Sequence, residues 1–442
     1  MRFVVELFGN DTTGRKMIAW GRRVGCRDAG HVFDRARGQV ATRLLVDDSV
    51  TAQSNFLLEL ADNPTGLRSM EKATARDIEK AAATPLRRFS WRGFMLDEAR
   101  HFFGVETVKA CLDHMADNGL NVFHWHLTDD QGWRLDLPQF PELAAIGSVR
   151  PHSPPRGCDT GSDGTPYGPY AYTPSDVRNI VAYAKRRGIL VVPEIELPGH
   201  TRALLAAHPE FGCEGALKVD TPWCEFGICE DVLCAGNDEA MDFMERVLDA
   251  VMELFPSTFI HIGGDECPKE HWKTCPKCQA RIRDERLADE NALQGWVTRR
   301  MVRHIASRGR RAVGWDEILE GGDLPPGTVV QCWRWSERAM AALEQGLDVV
   351  MSPLESTYLS IPEGLPGDRC VYRPATVASG RILTKEKIRA FDPCAGIPED
   401  LRAHVLGAEC CAWSEVTYSE SELRYKSFGR LEAFHEAMER KP

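Results

Sequence analysis

From Phe94 onward, short apolar runs alternate with longer stretches whose apolar positions recur at helical spacing, the pattern of successive βα units that build a parallel sheet. Eight strand-sized runs can be counted, at Phe94–Asp97, Asn121–Leu127, Ile189–Ile195, Thr258–Ile262, Ala312–Trp315, Thr328–Trp333, Asp348–Met351 and His404–Cys411. Eight fits a closed (β/α)8 TIM barrel. The helices between them carry ordinary punctuation: Thr173-Pro174 opens one that ends at Gly188, and Asn118-Gly119 closes the one before it. Residues 1–88 read differently, with strand-like runs at Phe3–Phe8, Ala41–Val46 and Asn55–Leu60 and a charged helical stretch from Ser69 to Ala83. A small N-terminal α+β domain is expected there, ending near Pro85 and Arg87-Arg88, with residues 89–442 forming the barrel domain. Pro151–Tyr172 is rich in Gly, Pro and Ser and has neither period, so it is an active-site loop or a disordered insertion.

Composition narrows the partners. The 442 residues carry a formal charge of −11 and a pI near 5.7, which argues against nucleic acid or an anionic membrane and for a small neutral or cationic ligand. No apolar run approaches the roughly 20 residues of a membrane span, and Phe3-Val4-Val5 is interrupted at Glu6, so no signal peptide is visible. A cytoplasmic protein is expected, although a trimmed secreted or periplasmic form would read the same. A homodimer is compatible with these features but not indicated by them. Fifteen cysteines, an odd number, fit reduced thiols better than a disulfide framework. Cys275-Pro-Lys-Cys278 has a zinc-like spacing with Cys267 nearby, but without a second Cys-x-x-Cys the expectation is buried, inert thiols.

The site of a barrel lies at the C-terminal ends of its strands, and polar and aromatic residues accumulate there. The first run ends in Asp97-Glu-Ala-Arg100-His101, the second in His124-Trp-His126-Leu-Thr-Asp129-Asp130, and the third in Glu194-Ile-Glu196-Leu-Pro-Gly-His200. The fourth leads through His261-Ile-Gly-Gly into Asp265-Glu266. Adjacent carboxylates can face one site only where the chain leaves the ladder, and Gly263-Gly264 eases that departure. Two carboxylates held together cannot both ionise freely, so one of them becomes available as a general acid. Trp315-Asp-Glu317, Trp333-Arg-Trp335 and Trp413-Ser-Glu415 supply indole faces beside charged groups, as walls for a sugar ring.

These motifs resemble the β-N-acetylhexosaminidases of glycoside hydrolase family 20 over roughly residues 90–420. Asn121-Val-Phe-His-Trp-His-Leu-Thr-Asp-Asp-Gln, Pro198-Gly-His, His261-Ile-Gly-Gly-Asp-Glu-Cys and Gly314-Trp-Asp-Glu stand in the family's order. The resemblance implies removal of terminal β-linked N-acetylglucosamine or N-acetylgalactosamine by substrate-assisted catalysis, with no cofactor and no metal. The substrate's acetamido oxygen attacks the anomeric carbon to form an oxazolinium, and configuration is retained. It further implies that Glu266 is the acid and base and that Asp265 orients the acetamido N–H. His200, with Asp129, would tune Glu266. Arg100 and Glu415 would bind hydroxyls, Trp315, Trp333 and Trp413 would box the acetamido methyl, and Tyr358 would bond its carbonyl. One departure is Ser360, where the family commonly has Asp; the other is the N-terminal region, which has no clear counterpart of the family's accessory domain.

Two other readings use the same residues. His124-Trp-His126, with His101 and His200, has the His-x-His spacing of metal-dependent barrel hydrolases. That reading leaves the tryptophans and the Gly-Gly-Asp-Glu turn without a role. A non-catalytic sugar-binding protein would keep the pocket, but both carboxylates are intact.

Overall fold

A computed structural model describes residues 87–214, 219–334 and 336–440, together with the backbone of five short strands among the first 86 residues. Two compact units, residues 1–90 and 91–442, are distinguished. In the first, Arg2–Phe8 is the middle strand of an antiparallel sheet between Ile18–Arg23 and Arg43–Asp47, and Val32–Asp34 pairs with Gln39–Ala41. The strand-like run at Asn55–Leu60 and the helical stretch from Ser69 to Ala83 lie outside the described residues.

The second unit is a closed eight-stranded parallel barrel, in which each strand pairs with its neighbours in sequence and the last closes on the first. Its strands are β1 (Trp91–Asp97), β2 (Val122–His126), β3 (Leu190–Glu194), β4 (Phe259–His261), β5 (Arg311–Trp315), β6 (Val329–Cys332), β7 (Asp348–Met351) and β8 (Val405–Ala412). The expected fold is therefore present, with bounds displaced by at most one residue except at β1, which starts three residues before the expected run. Gly93 hides that start from an apolar pattern. A Cβ there would stand 2.2 Å from a carboxylate oxygen of Glu409 on the adjoining strand, so only glycine fits.

Among the helices, α1 (Val105–Asp117) ends at Asn118 with Gly119 at φ 62°, and α2 (Pro174–Lys185) begins with a capping box between Thr173 and Asp176. The 151–172 segment is ordered. Arg150 and Tyr167 exchange backbone hydrogen bonds, and the Tyr172 hydroxyl donates to Glu98 at 2.7 Å.

Inside the barrel an apolar layer of Trp91, Val122, Val192, Phe259, Val313, Val329 and Val350 is sealed from water. Each such side chain contributes roughly 1.5–3 kcal/mol by burial. Other barrel residues are polar and bonded to one another. His124 presents Nδ1 to Glu409 at 2.7 Å and Nε2 to Glu194 at 2.9 Å, while Glu194 also meets His261 at 2.8 Å and accepts from the Trp315 indole at 2.8 Å. Burial would strip the proton from His124, but the two carboxylates outweigh it and raise its pKa to about 9. This network fixes the ends of the strands from which the site projects.

Candidate active site

After β4 the chain leaves the sheet through Gly263 (φ 62°) and Gly264 (φ 97°). A Cβ on Gly263 would lie 1.7 Å from Glu196 Oε2, so the glycine lets the backbone pass against the carboxyl that follows β3. The turn delivers Asp265 and Glu266 to the same imidazole: His200 Nε2 lies 3.7 Å from Asp265 Oδ2 and 3.7 Å from Glu266 Oε2. Both His200 (φ 52°) and Glu266 (φ 44°) hold left-handed backbone conformations, which non-glycine residues rarely adopt. On the far side of the ring, Nδ1 is 3.1 Å from Asp130 Oδ2 and 3.3 Å from Asp129 Oδ1.

Both aspartates face His200, Asp130 as well as the expected Asp129. Asp130 makes the shorter contact, while Asp129 also holds Arg100 Nη2 at 2.8 Å. Adjacent aspartates in a sequence do not reveal which of them an imidazole faces. Asp130 is in turn held by the Arg202 backbone N–H at 3.1 Å. Burial works against the imidazolium, but the surrounding Asp129 and Asp265 raise the His200 pKa well above the ordinary value, so the ring is a cation.

The two carboxyls behave differently. Asp265 is almost wholly buried, and burial pushes its pKa up to about 7, against the pull of His200 and with a further push from Glu266. Glu266 has a side chain 36% exposed. Burial raises it too, but the His200 hydrogen bond and charge prevail and hold it below the usual carboxylate value. In the free site, therefore, the easily held proton sits on Asp265, the reverse of what a resting acid at Glu266 requires. The cause is position: Glu266 lies at the open mouth, and Asp265 at the dry end.

Around this pair the aromatic side chains form a continuous wall. Trp315 and Trp413 have ring centroids 5.8 Å apart, Trp413 and Tyr358 5.9 Å, and Tyr358 and Trp333 6.2 Å. The Trp333 indole donates to Glu317 at 3.0 Å. Burial together with the nearby Asp265 and Asp316 raises Glu317 to about 8. Arg100 is buried beneath the wall, donating to Gln131 at 2.8 Å and to Asp97 at 3.2 Å, with its guanidinium 5.3 Å from the Trp413 ring. Glu415 accepts from Arg373 at 3.1 Å, and Arg373 also meets Asp159 of the 151–172 loop at 3.3 Å. That loop is thereby tied to the site. Trp335 is outside the described residues.

The contacts join Asp265, Glu266, His200, Asp129, Arg100, Trp413, Trp315, Tyr358 and Trp333 in one chain of neighbours. Glu415 joins through its charge on Arg100. Sequence reasoning passed over Asp130, Glu196, Glu317 and Arg373. The first three stood at strand ends already counted, but Arg373 sits where no periodicity marks it. Among the described residues His124 clusters with Glu194 and His261, His126 with Asp129 and Glu196, and His200 with Asp129 and Asp130, but no such group joins two of His101, His124, His126 and His200. His101 Nδ1 instead contacts the Ser414 carbonyl at 2.6 Å.

Comparison with known proteins agrees with this arrangement. The chain is 42% identical over 350 residues to a beta-hexosaminidase of Porphyromonas gingivalis, covering 79% of this chain and 43% of that protein. It is 35% identical to a beta-hexosaminidase of Vibrio furnissii over 78% of this chain and 56% of the relative. The chain thus spans about half the length of these curated relatives. Among solved structures, the GH20 exo beta-N-acetylglucosaminidase of Vibrio harveyi in complex with N-acetylglucosamine superposes with a TM-score of 0.69 at 32% identity, covering 80% of this chain and 55% of that one. A beta-N-acetylhexosaminidase of Bacteroides fragilis gives a TM-score of 0.67 at 32% identity, over 80% of this chain and 67% of that one. The family profile described as glycosyl hydrolase family 20, catalytic domain, matches residues 89–441, and with the barrel and its paired carboxylates in place, this chain belongs to that family.

Proposed function

We propose that the chain is a retaining exo-β-N-acetylhexosaminidase that removes terminal β-linked N-acetylglucosamine or N-acetylgalactosamine through an oxazolinium intermediate. The observation that carries the reading is the placement of Asp265 and Glu266 at equal distance from one charged imidazole, beside the wall of Trp315, Trp413, Tyr358 and Trp333. In an ordinary retaining glycosidase one carboxylate is the nucleophile; in substrate-assisted enzymes the acetamido oxygen takes that part.

Each residue then has a task. The acetamido group enters the aromatic box, its N–H donates to Asp265, and the Tyr358 hydroxyl bonds its carbonyl oxygen. Accepting that N–H favours the charged form of Asp265, whereas the leaving sugar covers Glu266 and removes its water. Binding therefore moves the proton preference from Asp265 toward Glu266, which then protonates the leaving oxygen as the acetamido oxygen closes on the anomeric carbon. Asp265 as a carboxylate stabilises the positive ring. Water, deprotonated by Glu266, opens it and restores the starting configuration.

The test is hydrolysis of chitobiose and of aryl N-acetylglucosaminides, galactosaminides and plain glucosides, with the first-formed anomer read by NMR. A β product from N-acetylated substrates alone, with tight inhibition by a thiazoline mimic of the cyclised intermediate, is expected. Efficient cleavage of the plain glucoside with a trapped glycosyl ester would refute the mechanism. Binding of N-acetylglucosamine without turnover would refute the activity.

A further inference from the structure

Cys275 and Cys278 do not stand as an isolated pair. The chain brings Cys213 and Cys234 to them, and the four Sγ atoms lie within 4.8 Å of one another, all buried. Cys213 follows the short turn Pro209–Phe211, and Cys234 lies on an adjoining segment, where its N–H donates to the Phe211 carbonyl at 2.9 Å and Gly212 bridges Leu233. Cys275 caps the helix Pro276–Asp284, and Cys278 is on its first turn. Gly236 lets the two parts close: a Cβ there would stand 2.1 Å from the Lys277 backbone.

The sulfur separations select among the things four thiols can do. Cys234 Sγ is 3.6 Å from Cys278 and 3.7 Å from Cys275, and Cys213 is 3.9 Å from Cys278. A disulfide requires about 2.05 Å. Four sulfurs at the ~2.3 Å zinc–thiolate distance occupy the corners of a tetrahedron whose edges are about 3.8 Å. The observed contacts match those edges, and a cage this tight has room for one ion, not for a multinuclear cluster.

We propose that Cys213, Cys234, Cys275 and Cys278 bind one structural Zn²⁺ as a closed tetrathiolate. Binding displaces the four thiol protons to solvent and leaves a complex of net charge −2. No coordination position remains for water or substrate, so the ion takes no part in the hydrolysis, and the inference does not depend on the proposed activity. What it does is mechanical. Leu233, next to Cys234, donates from its backbone N–H to the Pro198 carbonyl at 3.0 Å, and its own carbonyl accepts from the Trp272 indole at 2.9 Å. Pro198 lies two residues before His200, and Trp272 six residues after Glu266. The ion thus staples the loop that carries His200 to the segment that follows the carboxylate pair.

The spacing alone conceals this site. Cys213 and Cys234 are 21 positions apart in sequence, Cys275 is 41 further on, and Cys267, nearest to the Cys-x-x-Cys pair, is not a member of the cluster.

The experiment is metal analysis of the full chain, purified without added metal or chelator. One zinc per chain is expected, released as one equivalent on titration with an organomercurial and reported by a zinc indicator. Cobalt refilled into the stripped protein should show the intense visible absorption and thiolate-to-cobalt charge transfer of a tetrahedral tetrathiolate. Cys275→Ser and Cys278→Ser should lose the metal and melt at lower temperature, whereas Cys158→Ser, at an exposed thiol, should retain both. Zinc well below one equivalent in the unmodified protein, iron in its place, or disulfides among these four cysteines in peptide mass spectra would overturn the assignment. The wild-type analysis decides the matter even where a variant fails to fold.

Discussion

Replacing Asp265 with asparagine should stabilise the protein while impairing it, and the gain should depend on pH. The Asp265 carboxyl titrates near 7 instead of 3.8, because burial opposes its charged form more than His200 favours it. A carboxyl raised in this way favours the folded state most below its unfolded value, and that advantage is lost as pH rises through 7. At about 1.36 kcal/mol per pH unit, ionised Asp265 costs on the order of 4 kcal/mol above neutrality and distinctly less at pH 5, where only the unfolded chain has ionised. Asparagine, of the same shape, carries neither penalty. The stability advantage of Asp265→Asn should therefore widen by about 2–3 kcal/mol between pH 5 and pH 8. Urea unfolding of both proteins at the two pH values measures this directly, and melting temperatures should diverge by a few degrees in the same direction. The variant should also bind a thiazoline mimic more weakly, since the charge opposite the cationic ring is gone. A stability difference that stays the same at both pH values would show that Asp265 is not the strained ionisation the site contains.

Glu266→Gln should slow chitobiose hydrolysis by about 10²- to 10⁴-fold, with a smaller loss on an aryl glycoside whose leaving group needs little protonation; wild-type rates on chitobiose would exclude it as the acid. Asp130→Asn should weaken the charge on His200 and so let Glu266 rise toward its ordinary value, moving the basic limb of the kcat/KM profile, where the proton Glu266 must carry is lost, to higher pH. If the profile keeps its position, Asp130 does not act through His200. With serine at position 360 and Arg373 beside Glu415, a 6-sulfated N-acetylglucosaminide should be tolerated relative to the plain sugar, and Ser360→Asp and Arg373→Ala should each reduce that ratio several-fold. An unchanged ratio in both would place these residues away from the outer hydroxyls.

The barrel was legible in the sequence because each strand is a short apolar run bounded by helical periodicity, and its interior is repetitive enough to announce itself. Where Arg92 and Gly93 interrupt that pattern after Trp91, the start of the strand escapes it. The site was legible in so far as strand ends carry it: Arg100, His200, Asp265, Glu266 and the tryptophans were all countable from β-strand positions. What escaped was information held only in three dimensions. Nothing local separates Asp129 from Asp130, because their directions are set by the small hairpin in which Thr128–Asp129 pairs with Gly132–Trp133. Cys213 and Cys234 find Cys275 and Cys278 only because their loops pack side by side. The different proton affinities of Asp265 and Glu266 likewise follow from depth in the site, which adjacent letters cannot express.

The left-handed backbone at His200 and Glu266 has a consequence for laboratory evolution. A side chain in that region costs of order 1–3 kcal/mol, and glycine would relieve it. A library selected only for heat resistance should therefore accumulate glycine, or asparagine, at positions 200 and 266. A library selected for sugar release should hold histidine and glutamate there, whatever else it changes. Two short sequencing experiments, run under opposite demands, would thus mark the catalytic centre without any knowledge of substrate, with positions 200 and 266 among those where survival in heat and turnover disagree.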